Sequence, residues 1–300
     1  AEHARSALLP IELTPFIGRH AELAQITARL IDPRCRLLTL SGPGGSGKTR
    51  LALEVARTLA NDFINGVVFV PLAVVHTADD LIAALAEALG VTFVARTEPR
   101  TQLINWLRDK ELLLVLDNFE QLLTIADQLV AFLKAAPDLK ILVTSRQRLN
   151  LQAEWLIEIN GLIETEATTL FEHSVLRAQP NPIADPTHIG RICRLVQGLP
   201  LAIELAAAWA REHSCAAIAD QIERSLDFLA TVQRDVPDRH RSLRAVFDQS
   251  WALLSVKQRD VLAQLSVFRG GFDAAAAQRV AAADARTLAA LIDHSLVRRV

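Results

Sequence analysis

The ten residues from Ser41 to Arg50, SGPGGSGKTR, set four glycines and a proline directly ahead of a segment with helical periodicity. Glycine inside an element costs about 0.5–1 kcal/mol relative to alanine, so Gly42, Gly44, Gly45 and Gly47 belong to a loop whose shape requires them. The spacing Gly42-x-x-x-x-Gly47-Lys48-Thr49 matches the phosphate-binding P-loop. Its flanks agree with that motif. Leu37-Leu38-Thr39-Leu40 is a short apolar run, and Leu51, Val55 and Leu59 recur at i, i+4 and i+8 on one helix face. Strand, loop and helix in that order let backbone N–H groups and the positive helix end hold phosphate oxygens, an approach that side chains at the glycine positions would block. Gly42 to Arg50, Ser46 included, then surround the phosphates: Lys48 reaches the β- and γ-phosphates and the Thr49 hydroxyl holds Mg²⁺. An ordinary glycine-rich turn is the plainer alternative.

The rest of the first half alternates apolar runs with helical patterns, the signature of a parallel α/β sheet. Strands are expected at 37–41, 67–72, 112–117, 140–144 and, more weakly, 155–159. Leu81, Leu85 and Leu89 mark one intervening helix, closed by Gly90. Leu103 and Leu107 mark a second, and Leu122, Ala126, Leu129 and Leu133 a third. After Gly161 the strand signal disappears. Helices are expected around Leu170–Val175, before the loop Gln179-Pro180-Asn181-Pro182, then around Ile189–Val196, Leu201–Trp209 and Ile218–Leu226. The charged run from Arg234 to Arg241 reads as a linker. Helical segments follow around 246–254 and 261–268, broken at Gly270-Gly271, then an alanine-rich helix and a last one over 288–295, ending strand-like at Leu296-Val297. The expected organisation is a leader over 1–13, an α/β P-loop nucleotide domain with a doubly wound parallel sheet over 14–161, an all-α helical lid over 162–232, and a partial winged-helix domain over 233–300, truncated before or within its wing.

Composition narrows the function. A formal net charge of −2 speaks against a wholly basic nucleic-acid binder. Cys35, Cys193 and Cys215 are three, far apart and without C-x-x-C spacing, which suggests neither a disulfide framework nor a zinc site and fits a cytoplasmic setting. No long uncharged apolar run suggests a membrane partner. The chain starts on Ala1 and has no methionine, so it is expected to be part of something longer.

Three strand ends carry chemistry. Asp117 closes a buried run, and ligands of such sheets sit at the carboxyl ends of strands, so it is expected to face the Mg²⁺ at Thr49. The plainer reading is a turn. Glu120 could orient or deprotonate an attacking water, or simply stand at the third position of a helix capped by Asp117 or Asn118. Arg146, after Thr144-Ser145, could supply in cis the charge that an arginine finger gives in trans, or be a solvated charge beside a Ser145 cap. Gly198-Leu199-Pro200-Leu201-Ala202 has a complete structural explanation: one helix ends at Gly198 and the next begins at Pro200.

Phe16-Ile17-Gly18-Arg19-His20-Ala21-Glu22-Leu23, the P-loop, residues 113–120, Thr144-Ser145-Arg146 and Gly198 to Ala202 together resemble the STAND class of signal-transduction ATPases, with a nucleotide module similar to NB-ARC. The resemblance runs from about Leu13 to Val297. It implies that Ile17, Gly18 and Arg19 lie beside adenine and ribose, that Asp117 is the Walker B aspartate, that Arg146 is the first sensor, and that Pro200 of the lid packs on the base. Two departures stand out. Asn118 occupies the place of the second acid found in many relatives, which weighs against hydrolysis and shifts that role toward Glu120. His294 comes too early to be the family's winged-helix histidine.

The resemblance implies a switch that binds ATP or ADP with Mg²⁺, hydrolyses slowly, opens on exchange and self-associates, with effector and sensor domains outside this stretch. A DNA-binding regulator acting through residues 234–300 is the alternative, on the cluster Arg234, Arg239, Arg241 and Arg244 with Arg298 and Arg299, although direct duplex binding by this stretch is not expected. A small-molecule kinase is the third reading, and no second-substrate constellation supports it.

Overall fold

The protein is described by a computed structural model for residues 9–95, 97–178, 186–230, 241–268 and 271–298. It forms two compact units, one comprising Ala1–Ser41 and Lys48–Ile159, the other Gly42–Gly47 and Asn160–Val300.

In the first unit, β1 (Leu37–Ser41), β2 (Val67–Pro71), β3 (Leu113–Asp117), β4 (Lys140–Ser145) and β5 (Glu154–Glu158) form one sheet in the order β2-β3-β4-β1-β5. Every pairing is parallel. Alternate residues feed two separate cores. Leu38 and Leu40, Leu113 and Val115, and Leu142 join Ile26 and Leu30 of α1 (His20–Ile31) and Leu51 and Val55 of α2 (Lys48–Thr58). Leu37, Leu114, Leu116, Ile141 and Val143 join α3 (Ala78–Leu89), α4 (Pro99–Leu107) and α5 (Asp127–Ala135) on the other face. Burial on both faces is why these strands read as unbroken apolar runs. The register sets Ser41 beside Ser145, and Pro71 beside Asp117, so strand ends that carry polar groups share one edge.

The third helix differs from its expected extent. Residues 119–125 form two short 3-10 turns, and α5 begins only at Asp127. Asn118 is left-handed at φ 69 with no side-chain cap bond, which turns the chain sharply after β3. A continuous helix from that point is therefore excluded, and the capped-helix explanation of Glu120 goes with it.

Among the described residues, the second unit carries the helices α6 (Glu164–Ala178), α7 (Pro186–Leu195), α8 (Pro200–Ala208), α9 (Cys215–Arg224), α10 (Leu243–Ala252), α11 (Val256–Leu265), α12 (Ala274–Ala281) and α13 (Ala285–Asp293). Ser242, Ser255, Asp273 and Asp284 start the last four through side-chain caps, Ser255 in a capping box with Gln258. Leu254, Val261, Leu265, Ala277, Ala281 and Leu291 form their core. The 179–182 loop, linker residues 234–240, Gly270 and Arg299 lie outside the described residues. The strand expected at Leu296-Val297 is absent: both N–H groups bond back to the Leu291 carbonyl, and both side chains join the helical core. His294 closes α13 through its backbone N–H.

Candidate functional site

The first unit gathers its charges at the carboxyl ends of β3 and β4. Asp117, Glu120 and Arg146 are only 5%, 8% and 6% exposed. The Thr49 hydroxyl, from the first turn of α2, donates to Asp117 Oδ1 at 2.7 Å, and the Thr144 hydroxyl donates to the same oxygen at 2.6 Å. Thr144 Oγ1 also accepts the Asn118 N–H at 2.9 Å, fixing the turn that follows β3. Parallel register explains the convergence, since β4 lies between β1 and β3 and ends beside both. Beyond the Asp117 carboxylate, Arg146 Nε pairs with Glu120 Oε1 at 3.0 Å. Arg146 is therefore not a solvated charge. Ser145 caps no helix; its hydroxyl accepts the Gln147 N–H.

Lys48 is partly exposed as a residue, yet its ammonium is buried, and loss of water pulls its pKa down to about 8. Glu120 and Asp117 oppose that fall, while Arg146 adds to it. Two cations and two carboxylates thus share a poorly solvated patch. Glu120 Oε2 is buried without a hydrogen-bond partner. A polar oxygen left so is unfavourable unless something else meets it.

The glycine loop belongs to the second unit by packing. Gly45 and Gly47 have φ 78 and φ 87, and a Cβ on Gly45 would sit 3.0 Å from Leu201 Cβ. The Leu201 N–H donates to the Gly45 carbonyl at 3.3 Å, and Pro200 Cγ lies 3.7 Å from where a Gly47 Cβ would be. Pro200 thus stands against the loop at the first position of α8. Gly198 does more than end α7. A Cβ there would strike the Leu162 carbonyl, and one on Gly161 would strike the Gln197 carbonyl, so two glycines permit one close backbone crossing. Gly161 was visible only as a change of pattern; the crossing joins residues too far apart for spacing to reveal.

Ile17, Gly18 and Arg19 lead into α1, with Gly18 at φ 71 and Arg19 at φ 64. The buried Arg19 guanidinium pairs with Glu22 at 2.6 Å. The preceding segment lies along α2, where Phe16 packs against the core that includes Leu51 and Val55. Arg50 turns to this segment, donating to the Thr14 and Pro15 carbonyls at 2.9 Å each. Its guanidinium is thereby directed to a strap of chain.

Among known proteins, an AAA domain model matches residues 31–151 and a winged helix-turn-helix domain model matches residues 254–300. Rv0890c of Mycobacterium tuberculosis, whose name assigns it to the HTH-type transcriptional regulators, is 38% identical over 276 residues, covering 87% of this chain. The chain spans only 31% of that relative's length. Rv0894 of the same organism, whose name assigns no function, is 34% identical over 277 residues, covering 91% of this chain and 70% of its own. The solved structure of the Aeropyrum pernix ORC2 protein, in ADPNP–ADP complexes, gives a TM-score of 0.55 at 15% identity, covering 96% of this chain and 84% of that one. Such a likeness shows the fold alone. The architecture is thus a parallel α/β P-loop NTPase domain of the AAA kind, an all-helical region and a winged helix-turn-helix domain.

Proposed function

The chain belongs to one family with Rv0894 of Mycobacterium tuberculosis and carries an AAA nucleotide-binding domain, and from that premise we propose that it is a cytoplasmic ATP- and ADP-binding switch of the STAND, NB-ARC-like class. The observation that carries this reading is the buried group of Lys48, Asp117, Glu120 and Arg146 with the Thr49 hydroxyl on Asp117. Charges so poorly solvated are balanced best by a polyanion with its cation. The domains run 14–161, 162–232 and 233–300, after a leader over 1–13.

In this reading the glycine loop and the N–H groups from Ser46 to Arg50 cradle the phosphates, and Lys48 meets the β- and γ-phosphates. Thr49 and Asp117 offer hard oxygen donors 2.7 Å apart, a donor set that suits Mg²⁺. Magnesium bound there would neutralise phosphate charge. As the resemblance implies, Ile17, Gly18 and Arg19 meet adenine and ribose, and Pro200 meets the base. Arg146 senses the γ-phosphate and Glu120 positions water. Asn118, turned into a left-handed bend, supplies no second acid, so hydrolysis is slow. A nucleotide that binds closed and open forms with different affinity shifts their balance, and opening leads to self-association; effector and sensor domains lie outside this stretch. Light scattering in Mg-ADP and in a non-hydrolysable Mg-triphosphate tests this. A compact monomer with ADP and a larger species with triphosphate are expected, whereas identical mass and radius in both would contradict the switch.

The winged helix-turn-helix match favours a second reading, DNA binding through the last helices. Two of the described cations there are already engaged. Arg244 pairs with Asp227 at 2.9 Å and Lys257 with Asp284 at 2.7 Å. This weighs toward a structural winged helix. Duplex affinity that falls steeply with salt would reverse the choice.

A further inference from the structure

The Glu120–Arg146 pair is built unlike a structural bridge. Glu154 illustrates the latter: both its carboxylate oxygens accept backbone N–H groups, from Leu149 at 2.7 Å and Asn150 at 3.0 Å, and tie the loop before β5. Glu120 uses Oε1 on Arg146 and leaves Oε2 buried without a partner. A buried ion pair gains little over well-packed apolar groups even when every lone pair is met. With an oxygen left over it gains less, so stability gives no reason to keep it.

The same two residues are claimed by the nucleotide. Arg146 follows β4 and Glu120 follows β3, beside the Asp117 carboxylate and the buried Lys48 ammonium. A γ-phosphate entering this patch competes with the Glu120 carboxylate for the Arg146 guanidinium, whose planar fork suits bidentate contact with a phosphate. A diphosphate brings no γ-phosphate and has no claim on Arg146.

We propose that Glu120 sets the preference between nucleoside diphosphate and triphosphate by holding Arg146 until a γ-phosphate displaces it. This rests on the nucleotide-binding reading of the site and adds to it a specificity-determining residue. The diphosphate state keeps the pair closed. In the triphosphate state Arg146 leaves with the γ-phosphate, and Glu120 is released with both oxygens open to water. The carboxylate thus serves as a brake before it can serve the reaction, and the γ-phosphate is the only part of the ligand that lifts it.

The test is affinity for Mg-ADP and for a non-hydrolysable Mg-triphosphate, by titration calorimetry, in the wild type and in Glu120→Gln. Glutamine keeps the shape and an acceptor but removes the charge. The triphosphate is expected to tighten about tenfold in Glu120→Gln, the factor for loss of one charge-assisted competitor, while ADP moves less than about twofold. Equal shifts for both nucleotides, or an unchanged ratio, would overturn the proposal and leave the pair a support for the fold. Should Glu120→Gln fail to fold, Arg146→Gln carries the test: it is expected to reduce triphosphate affinity to that of ADP, and a preserved preference would overturn the proposal. Wild-type protein that binds neither nucleotide would instead refute the nucleotide reading itself.

Discussion

The two ends of the sheet treat buried charge in opposite ways. At the amino ends of β1 and β4, Lys140 donates to the Leu30 and Asp32 carbonyls at 2.6 and 2.7 Å, where α1 ends. Arg36 does the same for α5, donating to Leu133 O at 2.7 Å, to Leu139 O at 3.3 Å and to Ala136 O. These cations close the negative ends of helices and meet orphan carbonyls. Nothing further is required there. At the carboxyl ends, Lys48, Asp117, Glu120 and Arg146 share one patch in which burial holds the Lys48 pKa low and one Glu120 oxygen has no partner. One end completes a fold, and the other leaves a buried carboxylate oxygen unmet. The amino ends set half-buried cations on carbonyls alone, whereas the carboxyl ends bury carboxylates as well.

Exchanging the mutations between the ends gives the sharpest break. Lys48→Ala is expected to weaken Mg-nucleotide binding by about 100-fold, as the loss of charge-assisted contacts to phosphate should, while leaving urea stability equal to or above wild type. Lys140→Met is expected to cost about 1–3 kcal/mol of stability through carbonyls left unmet, with nucleotide affinity unchanged. Calorimetry and urea melts read both, and an affinity loss in Lys140→Met would erase the distinction.

A pH series sharpens it. The folded Lys48 pKa of about 8 lies below its ordinary 10.5. Between these values the unfolded chain binds the extra proton, so stability of the ligand-free protein rises with pH across that window, relative to Lys48→Met. Phosphate favours the protonated ammonium, so nucleotide affinity should fall over the same window, by up to about tenfold per pH unit. Stability and affinity moving in the same direction would place Lys48 outside the phosphate site. The smallest effect belongs to Arg50→Ala, which frees the Thr14 and Pro15 carbonyls. About 1 kcal/mol of stability should be lost, with faster proteolysis in residues 9–16; unchanged cleavage would mean the strap is held by Phe16 packing instead.

Much of this was legible because apolar runs bounded by turn residues mark buried strands. β1 appeared at its full extent, and Gly90 and Pro200 mark helix ends as their geometry requires. The order of strands was not legible, since it depends on crossovers that no local pattern encodes. Glu120 and Arg146 were each visible as candidates, but their pairing across 26 positions was not. The role of Thr144 as the second hydroxyl on Asp117 has little signal in the sequence beyond a threonine at a strand end one strand over from β3. The spacing of Leu122, Ala126, Leu129 and Leu133 suggested one helix because 3-10 turns and an α-helix can bury the same residues in one core. Leu296-Val297 looked like a strand because β-favouring residues also close helices when the chain folds back.

The most direct test of the central claim is the nucleotide content of the purified protein, released by denaturation and identified by chromatography, beside Lys48→Ala prepared identically. The switch predicts bound ADP in the wild type and none in the variant. An empty wild type that also fails to take up added ATP or ADP with Mg²⁺ would contradict it, and would leave the glycine loop as a scaffold kept for its shape.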